Sequence, residues 1–261
     1  MYSEVQIVEL AEKLPLDARI TVLTGAGVSA ASGVPTFRGA GGLWRNHSVQ
    51  DLATPEAFRR DPKLVWEWYN WRREVVSKCQ PNAAHLVLAA WNTRYPQFQL
   101  ITQNVDGLHE RAGAREVLRF HGSIWQVLCW NRCPKSPARW WDDTVPLLQI
   151  PPSCPYCGGL LRPGVVWFGE AIDPDIMARS VGATECDVFL SVGTSAVVYP
   201  AAGLTYEAKR NGAFTVEINP EATPASELVN LSIQGPAEEI LQKVEDHLEG
   251  GGTTPLSFPK Y

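Results

Sequence analysis

Two pairs of closely spaced cysteines are the clearest sign of chemistry in this sequence of 261 residues. Three residues separate Cys129 from Cys133, and two separate Cys154 from Cys157. In a chain that starts without a secretory signal, such pairs about 20 residues apart favour a tetrahedral metal site over disulfides. Four thiolates would fill the coordination shell of Zn²⁺ and leave no position for water, so the sequence predicts a structural zinc ion.

A turn rich in glycine follows a β-rich run at residues 19–24. Residues 25–30 read Gly-Ala-Gly-Val-Ser-Ala, which fits the pattern G-x-G-x-x-G/A. Glycines allow a tight turn in which backbone N–H groups reach a pyrophosphate at the start of a helix. The segment therefore predicts nucleotide binding, although a plain strand-to-helix turn would give the same pattern.

Polar residues follow three further apolar runs, at residues 98–102, 188–192 and 214–218. The carboxyl ends of parallel strands form the edge of an open sheet at which ligands bind. The candidate binding residues at these ends are Gln103, Asn104, Asp106, Gly193, Thr194, Ser195, Asn219 and Glu221. For any one of them, an ordinary turn at a strand end is the structural alternative.

One histidine and one tyrosine–arginine pair are further candidates. An imidazole titrates near neutrality, so His121 can accept a proton, although a lone histidine is more often structural. Tyr69 and Arg72 share one face of a predicted helix over residues 65–76. A phenol beside a guanidinium can bind a carboxylate through charge-assisted hydrogen bonds. The alternative is an exposed aromatic helix with surface arginines.

The elements that must position these residues alternate between helix and strand. Their order predicts an α/β fold with a Rossmann-type, doubly wound parallel sheet. Two stretches interrupt it, a helical insert at 39–83 and a segment rich in Pro, Trp and Cys at 128–163, which we assign to a smaller helical and zinc-binding lobe. The remaining predicted units are a nucleotide-binding domain formed by 1–38, 84–127 and 164–249, and a flexible tail at 250–261.

Composition limits the classes of function. Hydrophobic residues make up 45% and charged residues 20%, and 23 basic against 28 acidic residues give a net charge of −5. These values exclude a disordered, collagen-like or coiled-coil chain and provide no global field for nucleic acid or an anionic membrane. The start lacks the features of a leader, and the longest uncharged stretch, 188–206, is interrupted by Gly and Pro. We therefore expect a cytoplasmic protein without membrane or nucleic-acid partners, and removal of an organellar leader is the alternative for its localisation.

Two long motifs resemble the signatures of the sirtuin family of NAD-dependent protein-lysine deacylases. Residues 25–39 read Gly-Ala-Gly-Val-Ser-Ala-Ala-Ser-Gly-Val-Pro-Thr-Phe-Arg-Gly, and residues 102–109 read Thr-Gln-Asn-Val-Asp-Gly-Leu-His. Shorter resemblances are the His-Gly dipeptide at 121–122, Gly-Thr-Ser at 193–195 and Asn-Pro-Glu at 219–221. The resemblance spans about residues 16–240 and implies a large lobe that holds NAD⁺, a smaller lobe, and a substrate cleft between them.

The resemblance also implies roles for individual residues. The implied NAD⁺-binding residues are Gly25, Ala26, Gly27, Ser29, Phe37, Arg38, Gln103, Asn104, Asp106, Gly193, Thr194, Ser195, Asn219, Glu221 and Ala237. Asn104 and Asp106 would hold the nicotinamide ribose during catalysis, and His121 would be the general base toward the ribose hydroxyls. Phe37 and Arg38 would lie on a mobile loop over the cofactor.

The implied substrate is an acylated lysine in a protein or peptide. Residues 161–170 resemble the sirtuin segment that binds an extended peptide by strand addition. The implied substrate-binding residues there are Val165, Trp167, Phe168, Gly169 and Glu170. Tyr69 and Arg72 resemble the Y-x-x-R pair of the sirtuin-5-like subgroup, which removes succinyl, malonyl and glutaryl groups. The implied products are nicotinamide and 2′-O-acyl-ADP-ribose, with weaker activity on acetyl-lysine.

Several alternatives stay open. A deacetylase without preference for acidic acyl groups, or an NAD-dependent protein ADP-ribosyltransferase, would share these motifs. A nicotinamide dehydrogenase shares the glycine turn, but here a loop and an aromatic insert replace the acidic residue expected about 20 residues later. A nucleic-acid-binding zinc ribbon is disfavoured by the net charge of −5. Sirtuins usually have two residues within the first cysteine pair, so the longer Cys129–Cys133 spacing leaves loss of zinc as an alternative. The oligomeric state is undetermined and compatible with a monomer.

Overall fold

The main sheet has six parallel strands, as a computed structural model of residues 2–36 and 49–250 shows. Numbered in chain order, these strands are β1 (Ile20–Thr24), β2 (Phe98–Thr102), β3 (Leu118–Arg119), β7 (Val188–Val192), β8 (Phe214–Asn219) and β9 (Leu231–Gln234). Every residue of β1 and β7 is buried, which explains why most residues of both strands are apolar.

The strand order is β3-β2-β1-β7-β8-β9. The chain winds outward from β1 to β3, returns to place β7 beside β1, and then winds outward in the other direction. In a doubly wound sheet, a crevice opens beyond the carboxyl ends of the two strands where this order reverses. The predicted Rossmann-type α/β fold is therefore confirmed, and the crevice lies at the ends of β1 and β7.

Helices cover both faces of the main sheet. One face carries α1 (Glu4–Glu12), α5 (Ala83–Arg94) and α9 (Ala237–Gly250), and the other carries α7 (Pro174–Gly182) and α8 (Gly203–Arg210). Neighbouring side chains of a strand point to opposite faces. Val22 therefore joins the first core, and Leu23 joins the second. Among the described helices, none is both long and apolar enough to cross a membrane.

In its described residues, the smaller lobe combines three helices with a second, three-stranded antiparallel sheet. Its elements are α2 (Val49–Leu52), α3 (Pro55–Arg60), α4 (Pro62–Lys78), β4 (Gly122–Cys129), β5 (Trp140–Trp141) and β6 (Leu161–Val165). A short helix, α6 (Leu108–Arg111), follows β2 in the large lobe. The domain boundaries stay predictions, and two of them, 127/128 and 163/164, fall inside β4 and β6.

Helix α4 has a clear local origin and a fixed orientation. The Asp61 carboxylate accepts the Leu64 backbone N–H at 2.9 Å, and Pro62 occupies the first turn, where no N–H partner is needed. The Trp66 indole N–H donates to the carbonyl oxygen of Leu161 at 2.8 Å. This contact joins α4 to β6 and sets which face of α4 meets the crevice.

Candidate active site

A cavity of about 530 Å³ lies between the crevice of the main sheet and the smaller lobe. Cavities of this volume are typical of small-molecule sites. The large lobe contributes Gly25, Ala26, Gly27, Gln103, Asn104, His121, Gly193, Thr194, Ser195, Asn219 and Glu221 to its lining. The smaller lobe and the segment after β6 contribute Tyr69, Arg72, Val165, Trp167, Phe168, Gly169 and Glu170. The fold thus brings most of the predicted site residues together.

The glycines at the switch point allow two backbone turns to meet. The Gly27 N–H donates to the Gly193 carbonyl oxygen at 2.8 Å. A Cβ atom on Gly27 would lie 2.8 Å from the Gly193 Cα, and one on Gly193, where φ is +61°, would lie 2.4 Å from the Val28 nitrogen. Only glycine fits these two positions, and the resulting cradle of backbone beside the cavity suits the phosphates of a dinucleotide.

The helix that follows this turn differs from a simple Rossmann crossover. Residues Ala26–Ser32 form a 3₁₀ helix that ends at Gly33 in the left-handed conformation, with φ of 85°. The described chain continues from Gly33 to Thr36. The predicted cofactor-loop residues Phe37 and Arg38 come next and lie outside the described residues.

Side-chain amides connect the strand ends around the cavity. The Asn104 amide donates to the Gly25 carbonyl oxygen at 3.0 Å and to the Ser29 hydroxyl at 3.2 Å. The Gln103 amide donates to the Thr194 hydroxyl at 2.9 Å. The turns after β1, β2 and β7 therefore form one rigid, hydrogen-bonded rim.

Of the described residues predicted to bind NAD⁺ or substrate, three do not line the cavity. The Asp106 carboxylate is 4% exposed and accepts the Ser29 hydroxyl at 2.8 Å and the Leu108 N–H at 2.9 Å. Burial raises the pKa of Asp106, and these hydrogen bonds oppose the rise. Ser29 and Asp106 thus lie behind Asn104, where they can orient its amide, while Ala237 is buried at the start of α9. Direct contact of these three with NAD⁺ stays a prediction.

His121 presents one free nitrogen to the cavity. Its Nδ1 lies 3.2 Å from the Gln103 carbonyl oxygen, and because a carbonyl can only accept, Nδ1 carries the proton. Nε2 of the neutral ring is then the proton acceptor. Burial lowers the pKa of His121, and the bond to Gln103 partly opposes this. The imidazole is consequently neutral near pH 7 and suited to act as a base.

The acyl end of the cavity is formed by one face of α4. Tyr69 and Arg72 are 3% and 6% exposed, and the Arg72 guanidinium lies 4.8 Å from the centre of the Trp68 ring. Burial raises the pKa of Tyr69, so the phenol keeps its proton at neutral pH. Trp68 also lines the cavity and was not predicted. The sequence did contain a signal for Trp68, because it precedes Arg72 by four residues and so lies on the same face of the helix.

The four predicted metal ligands converge. The sulfur atoms of Cys129, Cys133, Cys154 and Cys157 all lie within 4.8 Å of one another. The Cys129–Cys157 sulfurs are 3.6 Å apart, and the Cys133–Cys154 sulfurs are 3.9 Å apart. Tetrahedral zinc with Zn–S bonds of about 2.3 Å requires about 3.8 Å between sulfurs, so the cluster fits a zinc ion. The longer first spacing is accommodated by Arg132, whose φ is 48°.

Loss of the metal should weaken the smaller lobe. We expect Cys154→Ser to lower bound zinc from one ion per chain to a small fraction, measured by inductively coupled plasma mass spectrometry. Because a structural zinc site contributes several kcal/mol to folding, the melting temperature should fall by roughly 10 °C. Cys186→Ser, at a buried cysteine outside the cluster, is the control and should retain zinc. Full zinc content in Cys154→Ser would contradict the assigned ligand set.

Fold, cavity and cysteine cluster together define a dinucleotide-binding protein whose smaller lobe carries four cysteines arranged to hold zinc. The chain belongs to the Sir2 family, since the family profile described as "SIR2: Sir2 family" matches residues 25–200. An "NAD-dependent protein deacylase" of Aquifex aeolicus (strain VF5) is 52% identical over 230 residues, which cover 88% of this chain and 95% of that protein.

Solved structures agree with this assignment. A Sir2 homolog in complex with NAD has a TM-score of 0.84 and 42% identity, with 94% of each chain covered. A "Sir2-p53 peptide-NAD+" complex has a TM-score of 0.78 and 27% identity, and covers 93% of this chain and 98% of that one. The predicted sirtuin resemblance is thus confirmed at the level of the family.

Proposed function

We propose that this chain is an NAD⁺-dependent protein-lysine deacylase of the sirtuin-5-like kind, with preference for succinyl, malonyl and glutaryl groups. The observation that carries the preference is the pair of Tyr69 and Arg72, buried side by side at one end of the cavity. A carboxylate at the end of an acyl chain could accept hydrogen bonds from both.

Charge supports this preference over acetyl. Burial lowers the pKa of Arg72 because it desolvates the charged guanidinium. The Asp106 carboxylate opposes this shift as a negative charge, whereas the Tyr69 phenol is uncharged at neutral pH. The Asp106 carboxylate is already bonded to Ser29 and Leu108. An acyl carboxylate would stabilise the buried guanidinium, whereas an acetyl methyl group would not.

The large lobe supplies the cosubstrate site. NAD⁺, when bound, provides the ribose carbon that releases nicotinamide and receives the acyl oxygen. The side-chain-free backbone at Gly27 and Gly193 would let the phosphates approach closely, and the Asn104 amide would orient the nicotinamide ribose. Nε2 of His121 would accept a proton from a ribose hydroxyl. Support comes from the homologous structures with NAD and with a p53 peptide.

An acyl-lysine peptide would bind along the segment after β6. In the sheet order β5-β4-β6, β6 is an edge strand. The amides of Val166 and Phe168 already donate to the carbonyl oxygens of His121 and Ala53. A peptide strand would therefore use mainly the carbonyl oxygens of residues 166–169, with Phe168, which is 48% exposed, beside it.

Acyl preference is tested with one peptide carrying succinyl-, malonyl-, glutaryl- or acetyl-lysine, together with NAD⁺. Nicotinamide and acyl-ADP-ribose are measured by mass spectrometry. We expect kcat/KM for an acidic acyl group to exceed that for acetyl by at least about tenfold, the factor for one charge-assisted hydrogen bond. Equal or better use of acetyl would identify a plain deacetylase. Transfer of ADP-ribose to the peptide or the enzyme would identify an ADP-ribosyltransferase.

A further inference from the structure

Trp167 and Tyr69 form a directional hydrogen bond inside the cavity wall. The indole Nε1–H of Trp167 donates to the phenol oxygen of Tyr69 at 3.0 Å. An indole nitrogen can only donate, so the phenol oxygen must accept here. Across residues 2–36 and 49–250, no group accepts the phenol's own proton. That proton is therefore available to a ligand in the cavity that Tyr69 lines.

Burial, a cation–π contact and a hydrogen bond fix the position of Trp167. Its side chain is 2% exposed, and the Arg162 guanidinium lies 3.6 Å from the centre of its ring. Arg162 binds the Glu170 carboxylate with two hydrogen bonds, of 2.5 and 2.8 Å. Glu170 in turn accepts the Trp167 backbone N–H at 2.8 Å. This ion pair orders both the ring and the backbone of Trp167.

We infer that Trp167 is a positioning residue for acyl recognition, because its indole N–H fixes the Tyr69 phenol as a hydrogen-bond donor toward the acyl carboxylate. This inference rests on the proposed function and adds to it a residue outside α4. The indole occupies a phenol lone pair and prevents the hydroxyl from turning toward Trp167 as donor. A carboxylate accepts only, so a fixed donor favours acidic acyl groups over acetyl.

The test is a double-mutant cycle on acyl selectivity. Trp167→Phe removes the indole N–H but keeps an aromatic ring, and Tyr69→Phe removes the hydroxyl. We expect Trp167→Phe to lower the succinyl-to-acetyl ratio of kcat/KM about three- to tenfold, mainly through KM for the succinyl peptide. In the Tyr69→Phe background, the same substitution should change the ratio less than twofold. A merely structural role for the indole would lower both activities equally in both backgrounds.

A control variant and an NMR measurement complete the test of Trp167. The matched control is Trp130→Phe, because the ring centres of Trp130 and Trp167 are 6.5 Å apart. This substitution should leave the succinyl-to-acetyl ratio of kcat/KM unchanged. If Trp167→Phe fails to fold, NMR of Tyr69→Phe replaces it as the test. The indole ¹H–¹⁵N resonance of Trp167 should shift relative to the wild type, because the phenol oxygen that accepts its hydrogen bond is gone. An unshifted resonance, or an unchanged ratio in folded Trp167→Phe, overturns the inference alone. Acetyl preference in the wild-type enzyme would overturn the proposed function, and the inference with it.

Discussion

Replacing His121 with alanine should lower kcat by about 10²- to 10⁴-fold, the usual contribution of a general base. The expectation follows from the geometry of the ring. Nδ1 is fixed as a donor to the Gln103 carbonyl oxygen, so Nε2 is the nitrogen left to accept a proton in the cavity. NAD⁺ affinity, measured by isothermal titration calorimetry, should change little because the glycine cradle and the Asn104 amide are intact.

A pH profile separates loss of a base from loss of structure. Since burial lowers the pKa of His121 below its ordinary 6.5, the neutral base persists below that pH. Wild-type kcat/KM should therefore stay level as pH falls to 6.5 and decline only below it, as the imidazole becomes protonated. His247→Ala, on α9, is the control and should keep both rate and profile. Wild-type turnover in His121→Ala would show that another group is the base.

Replacing Arg72 with methionine should reduce succinyl-lysine hydrolysis far more than acetyl-lysine hydrolysis. Truncating one partner of a buried, hydrogen-bonded charge pair costs about 2–5 kcal/mol, or roughly 30- to several thousand-fold in relative kcat/KM. Methionine retains much of the side-chain length and removes the charge. The measurement is nicotinamide release from matched succinyl and acetyl peptides at subsaturating concentration.

Two further variants separate the effect of the Arg72 guanidinium from that of a positive charge on α4. Arg72→Lys keeps a charge without the planar guanidinium, and an intermediate loss is expected because a lysine cannot bind a carboxylate through two parallel hydrogen bonds. Lys63→Met removes an exposed cation from the same helix and should leave the ratio unchanged. Equal losses for both acyl groups in Arg72→Met would show that Arg72 supports the fold of the site rather than recognising the carboxylate.

The amino-acid sequence by itself determined the order of the main elements. The runs at 98–102 and 188–192 coincide with β2 and β7, because strands covered on both faces of a parallel sheet consist mostly of apolar residues. The two cysteine pairs were also predictable from the sequence, since a tetrahedral metal site requires short spacings between its ligands, and these spacings are visible in the chain. Both signals are local.

The tertiary structure decided what each polar side chain can do. Nothing in the sequence shows that Asp106 lies behind Asn104, or that the indole of Trp167 meets a phenol 98 residues earlier in the chain. These relations depend on how α4, β2 and the segment after β6 pack around one cavity. The direction of a hydrogen bond and the burial of a charge are properties of a three-dimensional neighbourhood, and residues distant in the chain create it.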